Sequence, residues 1–135
     1  MLQKKDWILK KVAYFKRVGE RVHLPRGKKS YHEHKHRARQ FVHQKISELN
    51  AHYNFSFNRV AIKNHSTRWG SCSKQKNLNF NYRILFLSNE LADYVIVHEL
   101  CHLREMNHSK KFWALVAHVV PDFKERWKQL RLMRM

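Results

Sequence analysis

The stretch VIVHELCHLREMNHSKKFW, residues 95–113, places His98, His102 and His108 around an apolar run. On a helix, positions 98 and 102 differ by about 40° and lie about 6 Å apart along the axis. Their imidazoles converge on one ion, and Glu99 between them reaches a water at that ion. Val95, Ile96, Val97 and Leu100 bury the rest of this helix, so histidines occupy a face where a core prefers leucine. Shuffling this composition produces H-E-x-x-H about four times in a hundred, and adding a histidine ten positions on lowers that to about four in a thousand. The triple pattern is therefore read as a metal site.

The third histidine imposes a condition. On an unbroken helix His108 would sit about 15 Å up the axis from His98, too far to share an ion. The chain must turn near Glu105, Met106 and Asn107. The longer H-E-x-x-H-x-x-G-x-x-H pattern uses glycine for this turn; Glu105 stands there instead, and Asn107 is the expected left-handed residue. Ser109 then caps a new helix. Glu105, about 10 Å along the axis from His98, is a candidate supporting residue beyond the ligands. Cys101 is read as packing. Three protein ligands leave a fourth position open, the pattern of a catalytic zinc site, with one Zn2+ per chain. Glu99 is the expected general base.

Ahead of this helix the texture is β-like. NLNFNYRI (77–84) alternates, with Leu78, Phe80, Tyr82 and Ile84 toward a core and Asn77, Asn79, Asn81 and Arg83 on a polar face. RVAIKN (59–64) is a second short strand. Between them, Gly70 in STRWGSCSKQK permits a tight turn or a close backbone approach. Arg68 is the first candidate to stabilise developing negative charge, with Asn81 and Arg83 next. Trp69 is assigned to the core. The polar face or free edge of strand 77–84 is a candidate for aligning an extended peptide.

Helices account for the remainder. Asp6 caps a first one carrying Ile8, Val12 and Phe15. Residues 19–30 form a basic loop, and a second helix runs from Tyr31 to about Tyr53 with Ala38, Val42, Ile46 and Leu49 on one stripe. His32 and His36 lie one turn apart on a solvated face. Ser88 caps the histidine helix, Leu91 to Leu103, and a last helix begins at Pro121-Asp122 and ends near Arg131. Phe112, Trp113, Phe123 and Trp127 are read as core and lid packing. The expected fold is α+β: one domain over residues 1–135, with an N-terminal helix and loop to residue 30 and a catalytic core from residue 31. Its short antiparallel sheet packs against the histidine helix and flanking helices.

The 28 Lys and Arg against 10 Asp and Glu give a net charge of +18, which admits nucleic-acid contact through a basic surface. With two cysteines there is no disulfide framework, and a cytoplasmic protein is expected. No apolar run is long enough to span a membrane.

RWGSCS, NLNFNYRI, YVIVHELCHLREMNHSKKFW and PDFKERWKQLR together resemble the YgjP-like zinc metallopeptidases, relatives of the SprT-like proteases, over residues 36 to 132. The resemblance implies His98, His102 and His108 as zinc ligands, Glu99 as the base, and a peptide or protein substrate. Longer relatives carry a β-rich segment where this chain has only the loop 19–30. Two other readings stand beside peptide hydrolysis: a metal-dependent nucleotide phosphohydrolase, and a basic nucleic-acid-associated zinc module. No glycine-rich phosphate loop supports the former, and Glu99 has no purpose in the latter.

Overall fold

The computed structural model describes residues 22–134. The helix expected from Asp6 lies outside them. In chain order the elements are β1 (Val22–His23), α1 (Gly27–Leu49), a 3-10 turn (Asn50–His52), β2 (Arg59–Lys63), β3 (Gly70–Cys72), β4 (Asn77–Asn81), a second 3-10 segment (Tyr82–Phe86), α2 (Asn89–His102), α3 (Lys110–Val119), α4 (Phe123–Arg131) and β5 (Met133–Arg134).

Helix α1 starts four residues before the sequence suggests and stops four earlier. Contacts distant in sequence fix its first end and a local loop fixes its last. The Tyr31 hydroxyl donates to the Ile62 carbonyl and the Tyr82 hydroxyl to Ser30 Oγ, tying the first turns to the sheet region. At the other end Asn50 closes a loop, its side chain donating to the Phe55 carbonyl at 2.9 Å and accepting from the Phe55 N–H at 3.0 Å. The buried stripe is Ala38, Val42 and Ile46, as the spacing requires.

The sheet is mixed rather than antiparallel. Its order is β2-β4-β3, with β3 antiparallel to β4 and β2 parallel to it. The segment between β2 and β3 does not form a hairpin, because buried polar groups hold it elsewhere. Asn81 Nδ2 donates to the carbonyls of His65 and Arg68, the Asn81 N–H to the Trp69 carbonyl, and Arg83 to the carbonyls of His65 and Pro25. Thus β2 exits past β4, the chain crosses, and β3 returns on the opposite side. Strand β4 lies in the middle, paired on both sides, so it has no free edge for a peptide; β3 is the edge strand nearest the histidine helix.

Strand β4 also ends sooner than the alternation suggests. Asn81 accepts from the Arg83 N–H and starts a 3-10 segment, so the expected polar face ends inside the protein. Both residues are buried. A buried guanidinium is tolerated here because its N–H groups meet carbonyls at 2.7 Å.

The core lies around α2. Leu91, Ala92, Tyr94, Val95, Ile96, Val97, Leu100 and Cys101 are all buried, so the helix is apolar on nearly every side. Ser88 Oγ accepts from the Leu91 N–H, the cap the sequence announces. No helix among the described residues is long and apolar enough to cross a membrane.

Candidate metal centre and active site

Helix α2 delivers His98, Glu99 and His102 from its last turns and then stops. The break occurs without a left-handed residue: among the described non-glycine residues only Asn54 and Lys76 have positive φ, so Asn107 does not take the conformation expected of it. The helix tightens instead. The Leu103 N–H donates to the Leu100 carbonyl, and the Arg104 and Glu105 N–H groups both donate to the Cys101 carbonyl. Ser109 Oγ then accepts from the Phe112 N–H and opens α3 in a new direction.

This turn brings His108 back over α2. Its Nε2 lies 3.1 Å from Nε2 of His102 and 3.2 Å from Nε2 of His98. The three ligand atoms lie within 4.8 Å of one another. Nitrogens bound tetrahedrally at about 2.05 Å from zinc stand about 3.3 Å apart, so the donor set fits such an ion. The Nδ1 atoms of His98 and His102 meet other partners. His102 Nδ1 donates to the Glu105 carbonyl at 3.0 Å, and His98 Nδ1 faces the Tyr94 hydroxyl at 3.4 Å. Such bonds fix the tautomer that leaves Nε2 free to coordinate. Glu105 thus reaches the site through its backbone carbonyl, not its carboxylate.

Electrostatics favour neutral rings. Burial, then the neighbouring His102 and His108, pushes His98 down to about 3. Burial also lowers His102, against the opposing bond to the Glu105 carbonyl. Neutral imidazole is the form that binds a metal ion.

Phe112 forms the floor, fully buried, with its ring centroid 4.4 Å from His102 and 5.0 Å from both His98 and His108. Trp113 stacks on His108 at 5.7 Å. The sequence marks both as core; nothing in their spacing distinguishes an aromatic that fills a core from one that props three imidazoles.

Glu99 faces β3. Burial raises its carboxyl to about 8, with Arg68 opposing the rise. A Cβ built on Gly70 would stand 3.0 Å from Glu99 Cγ, 3.2 Å from Glu99 Oε2 and 3.1 Å from the Asn79 carbonyl oxygen. Gly70 is therefore present for close approach rather than for a turn. A cavity of ≈ 320 Å³ opens here, lined by Arg68, Gly70, Ser71, Cys72, Glu99, Met106 and the three histidines. Arg68 is exposed at this cavity. Asn81 and Arg83 do not reach it: their donors are committed to backbone carbonyls, and they position the loop that carries Arg68. Trp69 is half-buried against the core.

Comparison with known proteins bears on the fold and the family. The crystal structure of the metallopeptidase zymogen abylysin of Pyrococcus abyssi superposes with a TM-score of 0.60 at 24% identity, covering 66% of this chain and 90% of that one. Jannalysin of Methanocaldococcus jannaschii, also a metallopeptidase zymogen, gives a TM-score of 0.50 at 26% identity, covering 69% of this chain and 95% of the other. No curated protein matches. Residues 26–133 match the YgjP-like, metallopeptidase domain family. A match over most of the chain, with that fold and three converging imidazoles beside a buried glutamate, means that this chain belongs to the YgjP-like family of metallopeptidases.

Proposed function

We propose that this chain hydrolyses peptide bonds using one zinc ion held by His98, His102 and His108, with Glu99 as general base. The observation that carries the reading is the meeting of the three Nε2 atoms on the wall of the cavity that Glu99 also lines. His98, His102 and His108 would hold a zinc ion there, and it would supply Lewis acidity to the scissile carbonyl and to water. Glu99 takes the proton of the attacking water and delivers it to the leaving amine. A carboxyl raised by burial suits both halves of that task, since it gives up a proton nearly as readily as it takes one. Arg68, exposed at the same cavity, is the donor for the developing oxyanion.

Among the described residues Arg68 is the only Lys or Arg lining that cavity, so they set no cluster of cations inside it for nucleotide phosphates. Nucleic-acid contact rests on the net charge of +18 alone; neither the family nor the fold adds to it. Free thiols at Cys72 and Cys101 suit a reducing cytoplasm.

Chelation should abolish cleavage of a mixed peptide library, and about one equivalent of zinc per chain should restore it, followed by mass spectrometry. Restored zinc without cleavage, alongside hydrolysis of nucleotides, would overturn the peptidase reading. Gly70→Ala is expected to lower kcat about tenfold with zinc content unchanged, because the new methyl shifts the Glu99 carboxyl by a few tenths of an ångström. An unaltered kcat would mean that the carboxyl position is not critical.

A further inference from the structure

The site has a second wall that the chemistry above does not use. Beside it lies a cavity of ≈ 820 Å³, bordered by His98 and His108 and walled by Tyr94, Trp113, Phe123 and Trp127. Trp113 and Phe123 stack face against face, with centroids 4.8 Å apart and planes inclined 14°, a rigid aromatic pair on this wall. Trp127 is 47% exposed, held by the Arg131 guanidinium 4.6 Å from its ring centroid. A tryptophan this open on a cavity wall is an apolar contact surface that the described residues leave uncovered.

The charges on this wall have one sign. Among the described residues, Lys110 and Lys124 line the cavity, no acidic side chain does, and neither lysine forms an ion pair. His98 and His108 border both this groove and the polar cavity of Glu99 and Arg68. A peptide whose scissile carbonyl lies at the histidines therefore has its adjoining residue in the aromatic groove. At ≈ 820 Å³ the groove is near the upper end of the roughly 300–1,000 Å³ of small-ligand sites, more than one side chain fills.

We propose that this groove selects the substrate residue next to the scissile bond: a large apolar side chain, best aromatic, seated on Trp127 beside the Trp113–Phe123 pair, with a carboxylate beyond it at Lys110 and Lys124. The carboxylate is either the substrate's own C-terminus or an acidic side chain. This inference deepens the peptidase reading and rests on it.

Its test uses binding, so that it does not depend on turnover. Zinc-loaded Glu99→Gln protein is titrated by calorimetry with acetyl-Ala-Ala-Ala-Phe, its C-terminal amide, the same acid with Ala replacing Phe, and an amide carrying Asp after Phe. The Phe acid should bind about tenfold or more tighter than the Ala acid. It should also bind about fivefold tighter than the Phe amide, an advantage that shrinks with salt. Trp127→Ala in that background should reduce the Phe preference, and Lys110→Gln with Lys124→Gln should erase the carboxylate preference, with melting temperatures confirming that each variant folds. Tight binding of the Asp amide assigns the carboxylate to a side chain; weak binding assigns it to the C-terminus. Equal affinities for Phe and Ala acids overturn the groove, and equal affinities for the Phe acid and both amides overturn the role of the lysines. If the Phe acid binds as stated but the unsubstituted protein cleaves no peptide, the peptidase reading fails and the groove stands. If peptides are cleaved without apolar preference, the groove alone fails.

Discussion

Glu99→Gln should lower peptide turnover by about 10²- to 10⁴-fold while leaving the zinc content at its starting value. The substitution keeps the shape of a side chain packed between α2 and Gly70 and removes only its ability to accept a proton. The same change should raise, or at least not lower, the melting temperature of the metal-free protein at pH 8. Burial holds the Glu99 carboxyl at about 8 in the folded state against 4.5 for the free group, so the folded chain keeps a proton that the unfolded chain releases. Stability of the unsubstituted protein then declines as pH climbs from 4.5 toward 8, and glutamine removes that decline. Turnover should run in the opposite direction, rising with pH as Glu99 loses its proton, over a range set lower once a divalent cation lies beside it. Calorimetric melting and a pH–rate profile check the two halves. Full activity in the variant would remove Glu99 from the chemistry; a large fall in melting temperature would mean that the carboxylate is structural.

This opposition between stability and use also explains what the sequence discloses. Residues that break a folding preference stand out: two histidines and a glutamate on a helix otherwise buried on every side, and serines at 88 and 109 where an apolar run begins. Each is a local signal, and each lies where spacing places it. The order of the sheet is not local. The alternation of Leu78 and Phe80 reads the same whether β2 runs parallel or antiparallel beside them; the bonds from Asn81 and Arg83 to the carbonyls of residues 25, 65 and 68 decide it. In the sequence those two side chains look like a polar face, because exposed donors and buried, satisfied ones have the same spelling. The turn after His102 misleads for a related reason. Glycine or a left-handed asparagine is the common way to end a helix, but i→i+3 bonds and the serine cap suffice here. Phe112 and the aromatic groove are legible only after α3 and α4 have folded back, since their partners come from segments that periodicity treats separately.

His108→Ala tests the one ligand that depends on that folding back. His98 and His102 share α2, and the helix sets their separation with or without metal. His108 arrives from beyond the turn, is exposed, and leaves no core cavity when truncated. Its loss should therefore lower zinc affinity at least about a hundredfold without unfolding the chain. In the unsubstituted protein excess zinc should raise the melting temperature, because only the folded state brings the three nitrogens together; in the variant that rise should nearly vanish. Metal content after dialysis and melting with and without zinc measure both effects. His102→Ala should behave worse, because His102 is buried against Phe112 and bonded to the Glu105 carbonyl, so its removal disturbs packing as well as coordination. If His108→Ala kept zinc at the original affinity, the third donor would have to come from elsewhere, and the Glu105 carboxylate would be the group to replace next.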